Sequence, residues 1–140
     1  MMFDPSFDVF LRLAVGTLAG CVIGFQRARS GKPAGIRTMG LVALASTLAT
    51  VTAIPGGPLT SDPTAAGRVI QGLITGVGFV GAGVILHGRD QASVHGLTTA
   101  AAIWFTAVLG AAAGTGALFS VLVATAIGFA LLSVPEGEGR

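Results

Sequence analysis

The chain is short of charge. Of its 140 residues, 8 are Lys or Arg and 6 are Asp or Glu, so charged side chains make up 10%. A soluble domain carries about a quarter. So few charges cannot clothe a water-facing surface. The hydrophobic fraction is 52% and the mean hydropathy is +0.83. The solvent for most of this chain is therefore expected to be lipid. Cysteine is nearly absent too. Cys21 stands alone in an apolar run, which excludes an intrachain disulfide and any metal cluster built on cysteine. It reads as a small packing residue. The basic residues are scattered and lack aromatic interleaving, so the net charge of +2 gives no ground for a nucleic-acid partner. No Ser/His/Asp or Cys/His arrangement falls in a plausible site, and no carboxylate pair sits in mid-membrane. The sequence argues against an enzyme.

The apolar runs are what the chain has instead. A helix needs roughly 20 apolar residues to cross the hydrocarbon core. The expected fold is all-α, a single domain over 1–140 with about five spans. The first two run about Pro5–Phe25 and Ile36–Ile54, and the third about Pro63–Leu86. Leu97–Val134 is long enough for two more, with Gly114-Thr115-Gly116 as the turn between them. The N-terminus opens with Asp4 and Asp8, and its basic cluster follows the apolar run. That order is the reverse of a signal peptide. Arg27, Arg29, Lys32 and Arg37 crowd the first turn, while the stretch from Pro55 to Gly67 has no Lys or Arg. Positive loops stay cytoplasmic. This places the N-terminus outside and the C-terminus inside, with Arg68 as a mild exception. Spans one and three both start with Asp-Pro, a good helix cap and first residue. The match hints at a duplicated two-helix unit, although helix-start chemistry alone produces it.

Glycine is abundant, and residues 76–83 read "GVGFVGAG". The spacing G-x-G-x-x-G suits a dinucleotide phosphate loop only between a strand and a helix, with an acid about 20 residues on. Here the preceding residues continue an apolar helix, and position 103 is Ile. The dinucleotide reading fails, and no cofactor is expected. Small residues let helix backbones approach closely in lipid. At 3.6 residues per turn, Gly72, Gly76 and Gly83 share one stripe, and Gly78 and Gly81 fall opposite. The third span is therefore expected to be a central helix gripped from both sides, with Phe79 as a knob. Gly16, Gly20 and Gly24 form a second stripe, and Gly110 and Gly114 a third. The same glycines suit a seam with a second copy or another membrane protein.

Few polar groups enter the membrane. Arg12 lies two turns into the first span, with Asp8 at the i,i+4 spacing that brings side chains together. The pair reads either as a polar site facing the bundle, shared with Arg68 and Asp62, or as an arginine snorkelling outward to fix helix depth. Arg37 can snorkel or cap a neighbouring helix end. Thr38, Thr98 and Thr99 can bond helix ends. His87 and His95 flank a loop without a known metal motif, and no metal site is assigned. Trp104 lies away from the interfacial belts and reads as a packing residue.

Three separated blocks, "GFQRARSGKPAGIRTMGLVAL", "GLITGVGFVGAGVIL" and "VHGLTTAAAIWFTAVLGAAAG", occur in an order that resembles the MgtC/SapB family of bacterial inner-membrane proteins. The resemblance covers essentially the whole chain. It implies a membrane domain of about five spans in the bacterial inner membrane, and a link to magnesium homeostasis and growth at low magnesium. Members are often labelled magnesium transporters, and some act as regulators that bind other membrane proteins, including ATP synthase. Carried over by position, the motif residues are Gly35, Ile36, Arg37 and Thr38, then Gly76, Gly78, Phe79, Gly81, Ala82 and Gly83. The third block adds Gly96, Leu97, Thr99, Ala100, Ala101 and Trp104. Gln26 stands where the family often has Glu, and His95 where Arg is common. If that Glu is a cation ligand, Gln26 weakens a cation site here. The chain is also expected to lack the cytoplasmic C-terminal domain that some members carry. Two readings follow: a regulatory protein working through helix–helix contacts, or a transporter or channel for Mg²⁺. A Mg²⁺ ion wants oxygen ligands, usually including carboxylates. The spans offer only Asp8, which favours the regulator.

Overall fold

A computed structural model describes residues 5–54, 64–86 and 96–135, apart from the side chain at position 86. Asp4, Asp62, His87, Arg89, Asp90 and His95 lie outside the described residues. The described chain is all helical: α1 is Pro5–Arg29, α2 Ile36–Ala53, α3 Ala65–Leu86, α4 Leu97–Gly114 and α5 Leu118–Ser133. The first four are long and apolar enough to cross a membrane. The fifth has 16 residues, about 24 Å of helix, somewhat less than the ~30 Å hydrocarbon core.

Glycine ends two of these helices. At the end of α1, Gly31 takes φ +65°. Its N–H bonds the Ala28 carbonyl at 3.1 Å, and the Lys32 N–H bonds the Arg27 carbonyl at 3.0 Å. This pair of bonds satisfies carbonyls that the helix end leaves open. Gly116, at φ +86°, does the same for α4, with Ala117 N–H on Ala112. The turn expected at Gly114-Thr115-Gly116 is therefore where the chain reverses into α5. Gly96, the residue before α4, also sits in the left-handed region at φ +90°.

The helix gripped on two sides is α2, and this corrects the expectation placed on α3. The α1 stripe lies directly on α2. A Cβ placed on Gly20 would stand 2.6 Å from both the Ala43 Cβ and the Met39 carbonyl oxygen. One on Gly24 would stand 2.6 Å from the Ile36 Cα, and one on Gly16 would strike the Thr47 hydroxyl. The α4 stripe lies against α2 as well: Gly110 abuts the Ala43 carbonyl, and Gly114 abuts Thr50. The residues that α2 offers are themselves small: Gly40, Ala43, Ser46, Thr47 and Thr50 are all buried. Ile23, Met39, Ile103, Leu109 and Val121 fill the remaining core. Helix α5 packs on α1 and α4, and its Gly128 seats the ring of Phe105.

Helix α3 lies outside this core, against α4 and α2. Of its described side positions only Gly81 is buried, where it touches Ala100. A Cβ added at Gly72, Gly76, Gly78 or Gly83 meets nothing within 4 Å among the described residues. Phe79 is 84% exposed and is no knob, and Trp104 is 45% exposed rather than packed. Periodicity says only which residues share a face. It does not say whether a helix covers that face. The two helices that follow the similar Asp-Pro stretches, α1 and α3, therefore pack differently.

This placement predicts opposite outcomes for two similar changes. Gly20→Leu should lower stability by about 1–3 kcal/mol or block folding, the cost of overpacking. Gly76→Leu should leave the fold intact. Unfolding of the purified chain in mixed micelles measures both. Equal destabilisation by the two would contradict the assignment of α2 as the gripped helix.

Candidate functional site

Two polar clusters lie at opposite ends of the bundle, and an arginine centres each. At the first, Arg12 Nη2 pairs with Asp8 Oδ2 at 2.7 Å. Its Nη1 donates to the Gly114 carbonyl at 2.9 Å. The guanidinium thus caps the C-terminal end of α4, where unpaired carbonyls gather negative potential. It lies beside Gly116, whose missing side chain leaves it room. The Arg12 side chain is 17% exposed and that of Asp8 43%. Of the two readings of Arg12, the structure shows the one facing the bundle. Arg68, expected nearby, is exposed in the first turn of α3.

The second cluster sits where α1 ends. Arg27 is 2% exposed, and its Nη2 donates to the hydroxyl of Thr99 on α4. Gln26 is 5% exposed. Its Nε2 donates to the Leu132 carbonyl of α5 and, at 3.2 Å, to the Ser30 hydroxyl. Two adjacent residues of α1 thereby tie down α4 and α5. The Gln26 Oε1 is buried without a hydrogen-bond partner among the described residues. A carboxylate at this position could not donate to Leu132, so the amide suits the contact.

Sequence reasoning read Arg27 as a topology signal and Gln26 as a departure from a motif. A signal for Arg27 was present. It falls three residues after Gly24, on the same stripe as Gly16, Gly20 and Gly24. The motif residues are divided. Thr99 joins the second cluster. Gly35 precedes α2 and lies against Gly24. Gly96 permits the left-handed entry to α4. Arg37 and Thr38 are exposed on the first turn of α2.

Three of the six buried hydroxyls among the described residues bond their own helix. Thr47, Thr50 and Thr125 donate to the carbonyls four residues back at 2.8, 2.9 and 2.7 Å. Thr106 points at the Met39 sulfur at 3.5 Å. Among the described residues no group of three or more His, Cys, Asp or Glu could hold a metal ion.

Apolar helices of spanning length, with charge confined to the ends of the bundle, define a multi-pass helical membrane protein. The MgtC family model matches residues 13–137, and the chain belongs to that family. It is 43% identical to Protein SrpB of Synechococcus elongatus, over 83% of this chain and 70% of the relative. It is 39% identical to Protein SapB of Bacillus subtilis, over 81% of this chain and 49% of that protein. It is 36% identical to Protein MgtC of Salmonella typhimurium, over 86% of this chain and 49% of the relative. The chain thus spans about half the length of the Bacillus and Salmonella proteins. No solved structure matches it.

The Arg12 cluster predicts a measurable coupling. A double-mutant cycle of Arg12→Leu with Asp8→Asn should give about 0.5–1 kcal/mol, as expected for a half-exposed pair. Arg12→Lys should lose the capping bond to Gly114 and part of the stability. A coupling of zero, with a silent Arg12→Lys, would make Arg12 a depth anchor only.

Proposed function

We propose that this chain is an inner-membrane regulatory protein of magnesium homeostasis that works through helix–helix contacts and carries no ion itself. The observation that carries this reading is the open face of α3. A glycine inside a helix costs about 1 kcal/mol relative to alanine. In lipid its return is close approach to another helix. Gly72 and Gly76 lie on an exposed face, so a helix from another membrane protein or a second copy completes the contact. The interior supports the same reading. At one end the buried Arg27 guanidinium repels a dication, at the other the one carboxylate, Asp8, is taken up by Arg12, and Thr47, Thr50 and Thr125 bond their own helices. The magnesium link rests on the family. The orientation follows the positive-inside rule, with the turn holding Arg29 and Lys32 in the cytoplasm.

Liposomes containing only this protein should show no saturable Mg²⁺ uptake above protein-free liposomes. Robust saturable uptake would make it a transporter. A C-terminal reporter active only in the periplasm should stay silent, and strong activity would reverse the orientation.

A further inference from the structure

Between α4 and α5 lies an apolar groove of about 290 Å³. Ala101 and Ala102 form one wall, Ala124, Ile127 and Leu131 the other. Phe105, seated on Gly128, lies between them. Ala101, Ile127 and Leu131 are exposed, so the groove opens outward from the bundle. Its volume is at the lower limit of ligand clefts, about 300–1,000 Å³. From Ala124 to Leu132 it follows about 12 Å of helix. These dimensions suit part of one extended hydrocarbon chain, and the apolar lining disfavours a headgroup.

One end of the groove leads to positive charge. Leu132 and Thr98 line that end. The Leu132 carbonyl accepts from Gln26, which also donates to Ser30. Ser30 is exposed, and Arg29 beside it is exposed too. A chain leaving the groove here meets the end of α1 and the turn after it, which carry Arg29 and Lys32. Arg89 and Asp90, together with Glu136 and Glu138 after α5, lie outside the described residues. The single acid among the described residues, Asp8, belongs to the opposite end of α1. Lys and Arg near the membrane surface attract anionic headgroups.

We propose that the α4–α5 groove binds one acyl chain of an anionic phospholipid whose headgroup rests on the basic turn after α1. The site is independent of whether the protein regulates or transports. It makes this end of the bundle responsive to lipid charge, because the lipid contacts α4 and α5 beside the Gln26 and Arg27 ties.

The test uses the full chain in detergent, incubated with phosphatidylglycerol or phosphatidylcholine of matched chains. Native mass spectrometry reads the retained lipid. One phosphatidylglycerol should be retained, with phosphatidylcholine bound more than about tenfold more weakly, as two surface basic residues imply. Ala101→Leu and Ala124→Leu each fill the groove and should abolish retention of both lipids, with helicity by circular dichroism confirming that each variant folds. Arg29→Gln should keep retention but reduce the preference about fivefold, the effect of one surface basic residue. Equal retention of the two lipids by the unaltered chain overturns the proposal. So does unchanged retention in a folded groove variant, or a second copy of the chain cross-linked through Ile127→Cys.

Discussion

The bundle depends on backbone-to-backbone approach at α2. Gly20 sits against the Met39 carbonyl on one side, and Gly110 sits against the Ala43 carbonyl on another. In lipid no hydrophobic effect drives helices together, and dispersion contacts fall off steeply with distance. Removing the side chains from two facing stripes lets α1 and α4 both reach α2. Larger residues at these positions would hold the three helices apart, and the buried hydroxyls and Met39 would face lipid. The polar ties at the bundle ends follow from this seam. Arg12 reaches the end of α4, and Arg27 reaches Thr99 at its start, because α1 and α4 lie close along their length.

Each end then settles its own electrostatics. Arg12 satisfies a helix-end carbonyl and an acid together, so its charge is paired rather than left in hydrocarbon. Arg27 and Gln26 work as neighbours, one holding α4 and the other α5. Interhelical bonds of this kind average about 0.6 kcal/mol in membranes. Their value here lies in direction: they fix where α4 and α5 meet α1. Helix α3 leaves most of its described surface outside.

Much of this was legible in the residues. Charge scarcity gave the solvent, the apolar runs gave the helices to within a few residues, and the basic cluster marked the first turn. The glycine stripes were visible as stripes. Their partners were not, because a 3.6-residue period describes one helix and is silent on its neighbours. The same repeat that buries Gly20 leaves Gly76 open. The Asp8–Arg12 pair is legible in its i,i+4 spacing, while the bond to Gly114 depends on the tertiary fold. Gln26 was noticed only as an odd residue in a motif. Its role depends on a carbonyl 106 residues away, which no local pattern encodes.

The closeness of α1 and α2 can be tested with the chain's own thiol. A Cβ placed on Gly40 would lie 2.9 Å from the Cys21 sulfur, within reach of a disulfide after small adjustment. Mild oxidation of the Gly40→Cys variant in membranes should join the two thiols and protect both from alkylation. A thiol placed at Leu122, on the exposed face of α5, should stay reactive under the same conditions. Free, alkylatable thiols at both Cys21 and position 40 after oxidation would mean that α1 and α2 do not meet at the glycine seam, and the account of the bundle would fail with it.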